Sequence, residues 1–321
     1  MRTFNGLNLE SMEKKMKVRN TLLASVALAL AAGSVAAEVA ITGDGRLGVK
    51  SVNGGDVEFT SRVRIVFTAS GVTDSGLSFG GSIRADNAGG GAAGTGGSVF
   101  IMGPFGTISA GDVDSAAKAS AGQVSGIGLT GLGDLHEIPY IGGKDDPSLQ
   151  WSYTMDSLTL RVSADNPGAK YPATMGQMVD TNGDVVGKPH PMAGMEKDTA
   201  FSGGVSYAIG DVGVGVGVER VGDIQNVVAS ANATLGNASV KLVYGSRDDG
   251  VAATEDDSYG ASASFTSGMA TFTAFASNTN NMDHFGIGMA YDLGGASIKG
   301  GFVDGDSLTD ASFDLGISMG F

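Results

Sequence analysis

The chain of 321 residues has no cysteine, one tryptophan, seven prolines and three histidines. Lack of cysteine excludes a disulfide framework and any thiolate metal site. The histidines, His136, His190 and His284, stand far apart and lack the spacing of metal ligands. After residue 37 no apolar run approaches the about 20 residues that a membrane-spanning helix needs. Outside the N-terminus there is no basic block, and a net charge of −14 argues against nucleic acid as a partner. No Ser–His–Asp set and no paired carboxylates stand out, so an enzymatic reading has no residues to rest on. The string "GDGRLG" (Gly43, Gly45, Gly48) matches a dinucleotide fingerprint only by letter, because no helical pattern follows it.

Glycine and alternation are abundant. The chain holds 53 glycines, about twice the usual share, which implies many tight turns and close backbone approaches. At the N-terminus "MEKKMKVRN" is followed by "TLLASVALALAAGSVAA". A basic segment, an apolar core and a small-residue close define a secretory signal, so residues 1–37 are expected to be an extension plus a cleaved leader. Met1, Met12 and Met16 are all compatible starts. Residues 38–321 then form one domain.

From Val39 onward apolar residues recur at every second position and no period of 3.6 appears. The pattern predicts strands near 39–50, 57–70, 76–86, 97–103, 105–111, 149–156, 157–164, 199–209, 211–220, 226–235, 237–246, 257–267, 268–277, 283–292, 294–304 and 309–321. That makes sixteen, an even number. Connections after even-numbered strands are short ("GPFG", "MDS", "LGN"), while those after odd-numbered strands are mostly longer and polar ("SNTNNMD", "GSRDDGVAATEDD"). An up-and-down barrel crossing a membrane has this asymmetry. In lipid every backbone polar group must be paired, and strands achieve this only by closing.

The stretch "DVGVGVGVER" fits such a wall: Val212, Val214, Val216 and Val218 face lipid. Gly213, Gly215 and Gly217 face inward, where they are expected to widen the lumen. Register follows from magnitude. In "EFTSRVRIVFTAS" a one-residue slip would put Arg62 and Arg64 in lipid at roughly 2–4 kcal/mol each near mid-depth. Both must face inward, and the same parity sends Arg46 and Arg84 to the lumen. The closing "ASFDLGISMGF" alternates Phe313, Leu315, Ile317, Met319 and Phe321. That strand should pair with the first and close the sheet, its terminal aromatic serving as the signal for barrel-assembly machinery. Aromatics near strand ends (Tyr153, Phe201, Tyr207, Tyr244, Phe265, Phe285, Tyr291) suit interface girdles.

In "SRVRIVFTASGVTDSGLSFGGSIRAD", "FGTISAGDVDSA", "YDLGGASIKGG" and "DLGISMGF" the chain resembles the alphaproteobacterial, Rhodobacter-type general porins. The resemblance implies an all-β transmembrane antiparallel barrel in the outer membrane. It implies a homotrimer in contact with outer-membrane lipid and lipopolysaccharide, passing small hydrophilic solutes and ions passively. It also implies that a long third loop, about residues 112–148, folds into the lumen. Acidic groups on that loop (Asp112, Asp114, Asp134, Glu137, Asp145, Asp146) would face the basic wall of Arg46, Arg62, Arg64 and Arg84, setting up a transverse field. The middle of the loop, "KASAGQVSGIGLTGLG", departs from that picture because it is small and weakly charged. No cofactor is expected, although Asp112 and Asp114 offer oxygens to calcium. The rival readings are a solute-selective channel, a non-pore or enzymatic outer-membrane barrel, and a soluble surface protein. "ITGDGRLG" and "SVFIMGPFG" are the expected subunit contact.

Overall fold

The computed structural model describes residues 38–87, 96–143, 147–168, 198–248 and 255–321. The predicted leader and most of the connection containing His190 lie outside the described residues. The strands are β1 (Glu38–Ser51), β2 (Glu58–Val72), β3 (Ser78–Asp86), β4 (Ser98–Gly103), β5 (Gly106–Gly111), β6 (Ser148–Met155), β7 (Leu158–Ala164) and β8 (Phe201–Ile209). Then come β9 (Val212–Val221), β10 (Ile224–Leu235), β11 (Ala238–Asp248), β12 (Glu255–Ser267), β13 (Ala270–Thr279), β14 (Met282–Asp292), β15 (Ala296–Gly305) and β16 (Ser312–Gly320). All sixteen expected strands are present, with ends shifted by at most three residues, as where the last starts at Ser312 rather than 309. Each pairs antiparallel with its sequence neighbours, and β1 pairs with β16, so the sheet closes with no free edge. Among the described residues no helix is long and apolar enough to cross a membrane; the crossing is made by strands.

Closure is completed at the C-terminus. The register Leu47↔Ile317 and Val49↔Leu315 brings the alternating apolar row of β16 alongside that of β1. Beyond the strand, Gly43 N donates to Phe321 O at 2.6 Å and Phe321 N to Gly43 O at 3.0 Å. The Phe321 ring stands where a Cβ on Gly43 would be, 2.6 Å away, so the seam requires a glycine there.

The even-to-odd connections form one end of the barrel, called here the turn end. Pro104–Phe105, Asp156–Ser157, Gly210–Asp211, Gly236–Asn237 and Gly268–Met269 are two-residue links. Gly210, Gly236 and Gly268 have φ near +60°, which primed hairpin turns demand and β-carbons resist. The other end, the loop end, is less uniform than the sequence suggested. β9 and β10 are joined by Gly222–Asp223 alone, and β13 and β14 by Asn280–Asn281. Both asparagines take positive φ, +54° and +58°, so "SNTNNMD" contributes mainly to strands around a tight turn.

Val212, Val214, Val216 and Val218 point outward and are exposed on the isolated barrel, as are Phe59, Ile83, Leu242 and Ile287. Buried apolar side chains gather inside instead. Ala117, Ala121, Val124, Ile127, Leu132, Ile138 and Tyr140 come from the β5–β6 connection. They pack against Val228, Val243, Phe275 and Val303 of the wall. The hydrophobic core of this protein is the contact between one loop and the inner face of its own barrel.

Candidate functional site

The loop between β5 and β6 makes two passes across the lumen side of the wall. The first begins with a short helix, α1 (Ala116–Ala121). Ser115 caps it by accepting from Lys118 N at 3.2 Å, and Gly122, at φ +66°, ends it. The helix lies on β7–β10, where Ala116 N donates to Ser163 Oγ and Ala117 N to Ser202 Oγ, both at 2.8 Å. A Cβ on Gly204, Gly215 or Gly217 would run into Ala116 O, Ser120 O or the Ala117 backbone respectively. This corrects the expectation that the glycines of "DVGVGVGVER" widen the lumen. Gly215 and Gly217 are covered, and their missing side chains are the seat of a helix. Gly215→Val is accordingly expected to lift α1 from the wall and destabilise the barrel by about 1–3 kcal/mol. A denaturation midpoint equal to wild type would count against this packing.

From the helix the loop continues over β12 (Ser125 N to Ser262 Oγ, 3.0 Å) and β14, where Ile127 Cδ1 fills the space beside Gly286. It reaches the β16–β1 seam, where Leu129 Cδ2 packs on Gly48 and Gly316. The return pass runs nearer the loop end: Ser277 Oγ donates to Leu135 O at 2.6 Å, and Ile138 packs on Gly245. Gln123 ties the two passes together, donating to Ile138 O at 2.7 Å and accepting from Ile138 N at 2.9 Å. The weakly charged middle of the loop therefore has a structural reason: small and apolar residues are what can lie flat on a glycine-rich wall.

Three wall carboxylates that the sequence did not single out hold the loop. Glu219 of β9, 2% exposed, accepts from Ser115 Oγ (2.6 Å), Ile141 N (2.8 Å), Gly142 N (3.2 Å) and Asn226 Nδ2 (2.9 Å). Asp314 of β16, 3% exposed, accepts from Leu129 N (2.9 Å), Thr130 N (2.6 Å) and Thr130 Oγ1 (2.7 Å) at the far end of the loop. Asp165, just past β7, accepts from Gly143 N at 2.7 Å. Buried charge is tolerated where hydrogen bonds satisfy it, and each bond to a charged group is worth more than a neutral one. A signal for the loop's footprint was present in the alternation. Val227–Val228, Leu242–Val243 and Phe302–Val303 are consecutive apolar pairs, so one member of each must face inward and be covered.

Within the loop, Tyr140 donates to Gly122 O at 2.7 Å, and burial followed by the Glu219 charge pushes its phenol up. His136 meets Phe275 edge-on with ring centroids 5.8 Å apart. Burial holds its imidazole below the usual range despite Glu137 and Asp134, so it is neutral at pH 7. Burial opposes the Lys118 charge, but its hydrogen bond to Asp114 and the nearby acids outweigh this and hold the ammonium above its ordinary value.

The four predicted arginines stand on β1, β2 and β3, beside the seam that the loop reaches at Leu129. All four predicted arginines point into the lumen. Arg46 Nη1 donates to Leu129 O at 3.1 Å, so this residue touches the loop itself. Arg62 pairs with Asp44 of β1 at 2.7 Å, and Arg64 with Asp86 of β3 at 2.9 Å. These counter-ions lie on the same wall; among the described residues no ion pair joins Arg46, Arg62 or Arg64 to a loop carboxylate. Of the loop acids, Asp112, Asp114, Asp134 and Glu137 are exposed, and Asp114 is ion-paired with Lys118 at 2.9 Å. Asp145 and Asp146 lie outside the described residues. No group of three or more acidic or histidine side chains converges among the described residues.

A closed, apolar-faced barrel of sixteen strands with one loop pinned inside it defines a membrane channel protein of the outer-membrane β-barrel class. Residues 24–319 match the family model of Gram-negative porins, and the chain belongs to that family. It is 31% identical over 323 residues to the porin of Rhodobacter capsulatus, covering 88% of this chain and all of that protein. Among solved structures, a porin refined at 1.8 Å resolution superposes with a TM-score of 0.71 at 29% identity, covering 88% of this chain and 100% of that one. A double mutant of the Rh. blastica porin gives a TM-score of 0.66 with the same coverage, and its 17% identity makes that a likeness of fold. The protein is a general diffusion porin, a member of a family of channels.

Proposed function

We propose that small hydrophilic solutes and ions cross this barrel by passive diffusion through the gap between the loop and the β1–β6 wall, screened there by charge as well as by size. The observation that carries the reading is the loop itself: it is fixed to the inner face of β7–β16 by a buried core and wall carboxylates, so it takes up part of the lumen's cross-section. Arg46, Arg62, Arg64 and Arg84 form the basic side of the narrow zone, with Asp112, Asp114, Asp134, Glu137, Asp145 and Asp146 as the acidic side. Arginine suits this place because it stays charged at any workable pH. A field across the gap orients dipolar solutes and penalises apolar ones, which must displace ordered water.

The wall counter-ions give the test its sign. In the wild type the four arginines stand against Asp44 and Asp86. In Arg62→Ala/Arg64→Ala two cations remain against the same two carboxylates, so selectivity should move toward cations. Reversal potentials measured in a salt gradient check this, and an unchanged potential would remove the arginines from the narrow zone.

The finer assignments belong to the same proposal. The chain is exported through the periplasm under its N-terminal leader, with the turn end facing the periplasm. It assembles as a homotrimer through the apolar outer faces of the short strands β3–β5 and of β1, where Ile83, Val99, Ile101 and Leu47 are exposed. The remaining outer face meets lipid and lipopolysaccharide. Calcium at Asp112 and Asp114 would be read out by a chelator-dependent change in conductance. Barrel-assembly machinery reads the row Phe313, Leu315, Ile317, Met319 and Phe321. Deleting Phe321 also removes the bond pair that finishes the seam, so folded trimer in membranes is expected to fall sharply; a normal yield would refute the signal.

A further inference from the structure

On β4, Val99 and Ile101 are exposed on the outer face, so Ser98, Phe100 and Met102 stand on the inner one. Phe100 pairs with Gly80 of β3 on one side and with Ser109 of β5 on the other. Its ring leans over Gly80, with Cε1 2.7 Å and Cζ 3.0 Å from where a Cβ on that glycine would stand. The bare backbone therefore gives the ring a seat on the wall, as glycine does for an aromatic across an antiparallel pair. Phe100 is part-exposed and stands outside the buried cluster that the loop makes with the wall. Among the described residues the one other Phe, Tyr or Trp ring on the inner face of a strand is Phe275, which that cluster buries.

The surroundings of this ring are polar but uncharged. Ser70 lies beyond Gly80 in the same row, and Gln150 lies beyond Ser109. Gln150 Nε2 donates to Asp114 O at 2.7 Å, which fixes the amide two strands from the ring. Directly opposed side chains start about 4.5–5.5 Å apart, and residues two apart on one strand about 7 Å apart. A ring-sized solute resting on Phe100 is thus within reach of Ser109 and Ser98, while exposed Met102 extends the apolar surface toward the turn end. From Thr68 on β2 to Ser152 on β6, the inward positions level with Phe100 or one step to either side hold no charged residue. Charge returns at the margins, with Glu38 beside Ser70, Arg161 beside Ser152 and Arg84 one step beyond Ser82.

A seated aromatic ring among hydroxyls, with no charge beside it, offers nothing to an ion. A cyclic sugar has the matching chemistry: one face of its ring presents C–H groups and its rim presents hydroxyls. The C–H face sheds water against an aromatic ring, and the rim exchanges hydrogen bonds with serine. Sites for small molecules combine an apolar surface with a few placed polar groups in this way. We infer that Phe100, with Ser98 and Ser109 beside it, is a weak stacking subsite for the pyranose ring of neutral sugars crossing the pore. The inference rests on the diffusion-pore reading and adds a solute class to it. The test is single-channel recording with glucose titrated against sorbitol, the open-chain polyol of the same carbon skeleton, which has no ring face to stack.

The expected result is a current that falls saturably with glucose, and with sorbitol only in proportion to the conductivity of the bulk solution. Phe100→Leu still covers Gly80 but removes the flat face, and should raise the half-saturating glucose concentration about threefold or more. Phe100→Trp, with a larger face, should lower it. Phe302→Leu, on the outer face of β15, should leave it unchanged. If the leucine variant does not assemble, the tryptophan variant decides, and a half-saturating concentration at or above that of the wild type overturns the subsite. A response to glucose that never saturates, equal saturation by sorbitol, or a value indifferent to Phe100→Leu would overturn it as well. Absence of any conductance from the wild type would instead overturn the pore.

Discussion

Glu219→Ala is expected to release the loop from the wall and leave a wider, noisier channel. One carboxylate collects four donors from the start of α1, the return pass and β10. Hydrogen bonds to a charged group contribute roughly 1.5–3 kcal/mol each, so even the low end of that range makes the loss several kcal/mol for the loop's attachment. The barrel ladder runs through the Glu219 backbone, which pairs Ser202 and Asn226 as any residue would, and not through the side chain that the substitution removes. Trimers should therefore still form, while the size limit for neutral polymers and the current noise both rise. Glu219→Gln keeps one acceptor but points an amide at donors, and should fall between the two. An exclusion limit and noise level equal to wild type in the alanine variant would mean that the apolar contact holds the loop without its carboxylate.

Val216→Arg, three residues away on the same strand, is expected to fail for the opposite reason. Val216 stands outward between Gly215 and Gly217, both covered by the loop, and so lies near mid-height of the wall. Arginine on the lipid face at that depth costs about 2–4 kcal/mol, whereas Val212→Arg at the turn end should cost about 0–1 kcal/mol. Refolding into liposomes with a urea titration measures both. Equal stabilities would mean that this face is not in contact with acyl chains. Loop and lipid thus read the same strand from its two sides, with valine answering one and glycine the other.

The barrel was legible because its determinants are local. A side chain two residues along a strand returns to the same face, so "VGVGVGV" declares two faces without reference to any other part of the chain. The parity of Arg62, Arg64, Arg46 and Arg84 followed from the penalty for charge in lipid, and all four do face the lumen. At Asn280–Asn281 strand ends moved because the turn chemistry was misread: the positive φ values there make a two-residue turn out of an expected loop. The inserted loop was expected only from resemblance to a family, and its acids were expected to matter through the arginines opposite. The acids that fix its position are on the wall.

Sequence by itself determined that this is a closed sheet with an apolar outside, how many strands it has, which way each side chain points and where the seam closes. Alternation and turn residues carry all of that within a few positions of one another. Tertiary structure alone decided which inward glycines are seats for the loop rather than open lumen, and which carboxylates hold it. It also decided that Arg62 and Arg64 find their partners within the wall. The loop's attachment depends on residues as far as 104 and 185 positions apart being brought into hydrogen-bond distance, as with Ser115 and Glu219 or Leu129 and Asp314. No period in the chain records such contacts, because they arise from where a loop of small residues comes to rest on the inner surface of a cylinder.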